Sequence, residues 1–433
     1  MLNRRQFLVI GSGIAAAVTV PGCAAISDGI GSNRAESATA ITKVFGDGMK
    51  LAGVAVQYRK AISAADLNPA DFSVEGRNIT RVYVSQTADG APADSGRFVV
   101  IQLNPADEGA GLVVKQKPTQ AQQSQTAAGG PGKAGDKKET APSLSPAQAT
   151  VRAGSETLQT GKTVNEVFDD FKQYEFADPK TGKTVRYNLF APKNRQAGQR
   201  YPIVLFMHDA GVTGTNTPAT LYQGNGAIAW AEPESQAKNP CFVLAPQFDE
   251  IIADDDSKTS DYLDATINLI RALETQHPID PKRRYTTGQS GGGMMSIAMN
   301  VKYPDFFAAS YLVACQWDAK VVAPIAKNKL WITVSQDDAK AYPGQQAIVK
   351  TLAANGAKVA QAVWDAKWTP EQFQTAFEQM DAQRANVNFV AFAKGTVFKE
   401  GESTAGGSGH TNTWKYAYNI APVREWIFRQ RQA

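Results

Sequence analysis

From Ala40 to Val114 apolar and polar positions alternate in short runs, with Val54, Val56 and Tyr58 in one, Ile79 to Val84 in the next and Arg97 to Leu103 in a third. A period of two is that of a strand with one face buried. Turn pairs such as Asn68-Pro69 and Asp89-Gly90 separate the runs, so the pattern predicts a small β-sandwich. It lapses from Gln116 to Gln148, a stretch of Gln, Ala, Gly, Lys and Pro that holds one Leu and no Val, Ile, Phe, Met, Trp or Tyr. Such a segment cannot bury enough surface to offset the entropy of ordering it, and 116–148 reads as a flexible, low-complexity insertion. Apolar patterning resumes at Val151 and runs to Phe171. These are the last strands of a sandwich that spans 38–172.

From 173 to 433 the period changes. Continuous apolar runs at Pro202 to His208, Cys241 to Ala245, Tyr285 to Gly288, Ala308 to Cys315, Leu330 to Ser335 and Val387 to Ala393 suit strands buried on both faces. Helical patterns lie between them: Leu263, Ile267, Ile270 and Leu273 are spaced by three and four, and His277-Pro278 ends that run. Thr369-Pro370-Glu371-Gln372 has the form of a capping box with proline in the first turn. A closing helix is expected over Trp414 to Arg429. Strands alternating with helices predict an α/β fold, a mostly parallel sheet with helices on both faces.

A chain of 433 residues is too long for one ordinary core and suits two domains. The 45 basic and 41 acidic side chains are interspersed and leave a net charge of only +4, so no basic stripe exists and nucleic acid is set aside as a partner. The first 23 residues differ from the rest. Arg4-Arg5 precedes an apolar run ending at Val20, and Pro21-Gly22-Cys23 follows. A run of about 14 apolar residues is short of the ~20 that a membrane span needs. Residues 1–23 therefore read as an export signal with twin arginines and a lipobox, Cys23 being the lipidation site. The expected location is periplasmic or at the cell surface as a lipoprotein, or secreted, with the membrane engaged through an N-terminal lipid anchor. That use of Cys23 leaves Cys241 and Cys315, both in core strands, where small buried hydrophobes are the simpler reading than a disulfide.

The candidate chemistry begins at Gly288-Gln289-Ser290-Gly291-Gly292, between a strand and the helical run Met294 to Tyr303. A strand-turn-helix context with glycines about a serine exposes the hydroxyl and places it at a helix N-terminus, where developing negative charge is favoured. A serine hydroxyl needs a base, and the chain has three histidines. His208 ends a buried strand and is suited to shaping an oxyanion site, and His277 precedes a proline at a helix end. His410, in the glycine-rich loop Gly406 to His410 before the closing helix, is the remaining candidate. A carboxylate between Ser and His in the chain should orient the imidazole, and Asp337 and Asp338 follow the strand that ends at Ser335. The tetrahedral intermediate requires backbone donors, for which Gly291 is one candidate and Asp209 or Ala210 the other.

At these residues the sequence resembles bacterial exported esterases related to polyhydroxybutyrate depolymerase and feruloyl esterase, which carry an N-terminal immunoglobulin-like domain. The resemblance runs from Ala40 to the C-terminus apart from the insertion. It is carried by Tyr187-Asn188-Leu189-Phe190-Ala191-Pro192, Phe242-Val243-Leu244-Ala245-Pro246-Gln247, Thr286-Thr287-Gly288-Gln289-Ser290, Gln316-Trp317-Asp318, Ala341-Tyr342-Pro343-Gly344 and Asn412-Thr413-Trp414. It implies an α/β-hydrolase fold over 173–433 preceded by an immunoglobulin-like sandwich, and it assigns the acid to Asp338, four residues before Tyr342, where the family often has Gly at the position of Asp337. The implied activity is hydrolysis of a carboxylic ester, small or polymeric, through an acyl-enzyme on Ser290 with His410 and Asp338, without metal or cofactor. A serine peptidase uses the same arrangement, and a surface lipoprotein that only binds would keep the fold without the chemistry.

Overall fold

A computed structural model describes residues 33–116, 132–405 and 407–432. The expected export signal with Cys23, residues 117–131 of the insertion and Gly406 lie outside the described residues.

The N-terminal strands are β1 (Ala35–Phe45), β2 (Gly48–Ser63), β3 (Phe72–Val74), β4 (Ile79–Ser85), β5 (Ser95–Leu103), β6 (Val113–Val114), β7 (Ser143–Leu144), β8 (Thr150–Ala153) and β9 (Glu156–Asn165). Seven of them form one sheet in the order β3-β8-β9-β1-β2-β5-β4, with β6 and β7 as a separate pair. Neighbours run antiparallel except β1 and β9, which are parallel. The alternation seen in the sequence has its physical counterpart here. Val54 and Val56 of β2 and Val99 and Ile101 of β5 are buried in one cluster with Phe72, Val74 and Val151 from the β3–β8 end, while Ile41, Ala55 and Val100 are buried on the opposite face.

The second sheet has nine strands: β10 (Lys172–Ala177), β11 (Thr184–Phe190), β12 (Tyr201–Met207), β13 (Phe242–Gln247), β14 (Ile279–Gln289), β15 (Ala309–Val313), β16 (Leu330–Ser335), β17 (Val359–Trp364) and β18 (Val387–Phe392). Their order is β10-β11-β13-β12-β14-β15-β16-β18-β17. Pairing is antiparallel from β10 to β13 and parallel beyond it. Every residue of β12 is buried, as its unbroken apolar run requires, and successive side chains feed opposite layers. Ile203, Leu205 and Met207 join one core, and Val204 and Phe206 the other. Helices α1 (Tyr262–Gln276), α2 (Gly291–Lys302) and α3 (Ala341–Ala354) cover the first face, and α4 (Pro370–Asp381), α5 (Ser408–Ala417) and α6 (Ala421–Phe428) contribute to the second. Thr369 and Gln372 form the expected capping box at α4.

Three features depart from the sequence reading. The closing helix is two helices, because Pro422 lacks an N–H and starts α6 instead of continuing α5. The first of them begins at Ser408, so His410 lies in the first turn of α5 and not in a loop. The strands β10, β11 and β17 are additional to the apolar runs: β10 is exposed along most of its length, and β17 gives a weak apolar signal, with Gln361 between two alanines and Val363 54% exposed. Finally, the second half of the insertion is ordered, with Ala141 buried in the core and hydrogen bonds to the second sheet's loops, Gly135 N donating to Ile251 O (2.9 Å) and Thr140 N to Thr213 O (2.7 Å). The β1–β2 turn also reaches across, Asp47 pairing with Lys399 (3.6 Å).

Candidate active site

The site lies at the carboxyl ends of β12, β14 and β16, where open α/β sheets place their ligands. β14 ends in a sharp reversal. Ser290 N donates to Val313 O (3.0 Å), Ser290 adopts φ 50° and ψ −120°, and α2 begins at Gly291. A non-glycine residue held at positive φ costs about 1–3 kcal/mol, which the surrounding structure has to supply. Close packing of the helix start onto β12 does so, since a β-carbon on Gly292 would lie 2.0 Å from Met207 O. The turn thus lifts the Ser290 hydroxyl out of the sheet beside first-turn amides that have no partner within the helix.

His410 Nε2 lies 2.9 Å from Ser290 Oγ, and its Nδ1 is hydrogen-bonded to Asp338 Oδ2. The imidazole also meets Trp414 edge to face, ring centroids 5.2 Å apart. Asp338 is 3% exposed, and its Oδ1 accepts from Ala341 N (2.8 Å) and Lys340 N (3.2 Å). Burial alone would raise its pKa. The hydrogen bond to His410, the charge on that ring and the two amides outweigh burial and hold the carboxyl below its usual range. Asp337 faces elsewhere: its Oδ2 accepts from Gly395 N (2.7 Å). Its backbone forms the surface on which α5 rests, where a β-carbon on Gly409 would come within 2.6 Å of Asp337 O. That close approach explains a glycine beside the histidine.

The other two histidines sit apart from this row. His208 is buried, its Nε2 accepts from Phe248 N (3.1 Å), and its Nδ1 faces Asp209 O (2.8 Å). One nitrogen that must accept and one that must donate define a neutral ring, and burial pushes its pKa down. It fixes the start of the loop that follows β12. In that loop Asp209 Oδ1 accepts from Gly211 N (2.8 Å) and its Oδ2 from Gln289 Nε2 (2.9 Å), so the Asp209 side chain is an N-cap and a tie to the residue before Ser290. The Ala210 amide comes next to the helix start, 3.7 Å from where a Gly291 β-carbon would be. His277 packs against Phe242, ring centroids 5.5 Å apart, at the far end of α1.

Ser290, His410, Asp209 and Ala210 line a cleft of about 430 Å³. Met294 and Trp414 supply apolar surface, while Asp255, Gln316 and Lys340 form a polar wall in which Asp255 accepts from Gln316 Nε2 (2.9 Å) and pairs with Lys340. Sequence reasoning did not single out these five. Gln316 and Trp414 stand in segments that carried the family resemblance, but nothing in composition pointed to Lys138, which the insertion brings to the same cleft. Cys241 and Cys315 are buried and unbonded to each other. Among the described residues no group of three or more His, Cys, Asp or Glu is arranged to hold a metal ion, and no helix is long and apolar enough to cross a membrane.

Comparison with known proteins bears on the whole chain. Residues 37–166 match the family model of the esterase Ig-like N-terminal domain. A solved structure of a thermostable esterase superposes with a TM-score of 0.73 at 25% identity, covering 92% of this chain and 100% of that one. A feruloyl esterase module from Clostridium thermocellum gives a TM-score of 0.41 at 14% identity, covering 58% and 86% of the two chains. No curated protein matches the chain. The chain thus shares its overall fold with a solved esterase structure, and its first domain matches the esterase Ig-like model.

Proposed function

We propose that this chain, a hydrolase of esterase type by its fold and its N-terminal domain, cleaves carboxylic esters through an acyl-enzyme on Ser290. The observation that carries the reading is the single row from Ser290 Oγ through His410 to the buried Asp338 at the mouth of the cleft. In this mechanism Ser290 Oγ attacks the ester carbonyl as its proton passes to His410 Nε2. Asp338 keeps the proton on Nδ1 and favours the imidazolium. The carbonyl oxygen becomes an oxyanion that the Gly291 and Ala210 amides stabilise. Collapse breaks the C–O bond, and His410 returns its proton to the leaving alcohol. Water, deprotonated by the same His410, then releases the acid and restores Ser290. A cleft of about 430 Å³ is at the small end of ligand pockets, which run about 300–1,000 Å³, and suits one acyl or aryl group with part of a larger alcohol or polymer outside.

Labelling with a fluorophosphonate tests the reading. The adduct should map to Ser290, and Ser290→Ala should lose ester hydrolysis by about 10⁶ while keeping its fold. An adduct elsewhere, or turnover retained by the purified variant, refutes it. We further propose that Cys23 is lipidated after export, on the motif alone. Cys23→Ala should then move the protein from the membrane to the soluble fraction, and unchanged membrane association refutes that assignment.

A further inference from the structure

The segment from Lys133 to Leu144 crosses the cleft side of the second domain. It begins with a single antiparallel bridge, Lys137 to Glu250, beside the chain that continues beyond β13: Ile251 N donates to Asp136 O (2.9 Å), Lys138 N donates to Asp249 O (3.1 Å), and Lys137 Nζ pairs with Asp249 (2.8 Å). It then crosses the loop that contains Ala210. The Glu139 carboxylate accepts from both Thr215 N and Thr215 Oγ1 (2.9 Å each). Thr213 O accepts from Thr140 N (2.7 Å) and Ala141 N (2.9 Å). Pro142 O accepts from Asn216 Nδ2 (3.0 Å) and from the Tyr222 hydroxyl. After that, Ser143–Leu144 pairs with Val113–Val114 and returns the chain to the first domain. From the core side, the same loop is held by Gln247 Nε2 on Val212 O (2.6 Å) and Gly214 O (3.1 Å), by Gly214 N donating to Phe248 O (2.8 Å) and by the buried Val212 side chain.

We infer that this strap is a positioning element for the oxyanion loop: Glu139 and Thr140 hold residues 210–215 so that the Ala210 amide points at the developing oxyanion. The inference rests on the proposed role of Ser290 and Ala210. Gly211 and Thr215 of the loop are exposed, while Val212, Thr213 and Gly214 are buried, Gly214 directly against Glu139 and Ala141 of the strap; with two glycines in its backbone, the loop is free to shift on its outer side once that cover is loosened. A donor that moves by about 1 Å in the reacting complex can cost up to 10²-fold, because the transition state is more demanding of geometry than the ground state. The strap thereby makes the hydrolase's rate depend on a segment that belongs to the first domain in sequence.

The test compares Glu139→Ala with Glu139→Gln, whose side-chain oxygen still accepts from Thr215, and with Thr140→Val. The readouts are kcat and KM on a p-nitrophenyl ester, the inhibition constant of a trifluoromethyl ketone, which forms a tetrahedral adduct with an oxyanion, and the thermal midpoint. Glu139→Ala should lower kcat and ketone affinity together by about tenfold or more, with KM and the midpoint near wild type, and Glu139→Gln should restore most of both. Thr140→Val, which removes the bonds from Thr140 Oγ1 to Thr213 O (3.2 Å) and Ala210 O (3.4 Å), should shift both in the same direction by less. Unchanged kcat and ketone affinity in Glu139→Ala overturns the inference, as does a loss of kcat that leaves ketone affinity intact. If Glu139→Ala does not fold, Thr140→Val with full kcat and full ketone affinity overturns it equally. Fluorophosphonate labelling of wild type separates the two failures: an unlabelled Ser290 removes the catalytic reading itself, whereas a labelled, active wild type with unimpaired variants removes only the role of the strap.

Discussion

Two stretches of backbone meet beside the cleft, 3.7 Å apart from the Ala210 amide to where a Gly291 β-carbon would be, and they are held in different ways. The turn at Gly288–Gly292 is locked from within the sheet, by the bond from Ser290 to β15 and by contact with Met207 too close for any side chain. The loop at Asp209–Asn216 is held from within by Gln247 and the Phe248 carbonyl, and from outside by polar partners on a segment far away in sequence. An apolar core can hold a strained residue because many contacts over-determine it. A loop that puts only Val212 into the core has fewer such contacts and depends more on its hydrogen bonds, each of net worth about 1 kcal/mol. The nucleophile side should therefore tolerate almost no change. The oxyanion side should lose function in graded steps.

After the loss expected for Ser290→Ala, the largest effect with the fold intact is on the acid. Asp338→Asn keeps shape but favours the wrong imidazole tautomer, and kcat should fall by about 10⁴. The same variant has a pH signature. Asp338 has a folded pKa below its unfolded one, so it contributes stability above the unfolded value that is lost as pH falls through the folded value. The gap in thermal midpoint between wild type and Asp338→Asn should be full near neutrality and close in acid; a gap independent of pH contradicts the assignment.

Next in size is a change confined to the opposing loop. Ala210 opens a short 3₁₀ turn after Asp209, whose extended backbone (φ −77°, ψ 168°) suits a residue before proline. Ala210→Pro should remove one donor with little distortion and reduce kcat by about 10²–10³, with KM little changed. Full activity would show that the oxyanion is held elsewhere. Asp337→Asn should stay within about tenfold of wild type, since it weakens a brace at Gly395 without touching the imidazole. The reverse ranking of the two aspartates transfers the role of the acid.

The smallest effect expected is none. Cys315 lies behind the turn that bears Ser290, against Gly293, and burial pushes its thiol pKa up to about 12. Iodoacetamide should leave Cys315 unmodified in the native protein and modify it once the chain is unfolded. Native labelling at a rate near that of a free thiol contradicts a sealed core behind the nucleophile.

What could be read from the sequence follows the same division. Runs such as Pro202 to His208 and Leu330 to Ser335 announce themselves because burial on both faces demands unbroken apolar residues. Gly-x-Ser-x-Gly between a strand and a helix reports a turn too tight for side chains. The choice between Asp337 and Asp338 had no basis in pattern, since two adjacent carboxylates after a strand look alike, and only the family resemblance separated them. The docking of Lys133–Leu144 was invisible for a different reason. Its bonds are made by backbone groups and by Glu139 and Thr140, and a composition that lacks large apolar residues says nothing about main-chain pairing. The glycines around His410 suggested a loop, although at Gly409 the missing side chain serves close packing of a helix on Asp337.

The most direct test of the account is to trap the intermediate. Enzyme turning over a slow p-nitrophenyl ester would be quenched in acid and its peptides mapped by mass. The account predicts a burst of p-nitrophenol stoichiometric with active enzyme and the acyl group recovered on the peptide containing Ser290. Steady turnover without a burst and with no acylated Ser290, together with hydrolysis that survives Ser290→Ala, would contradict it.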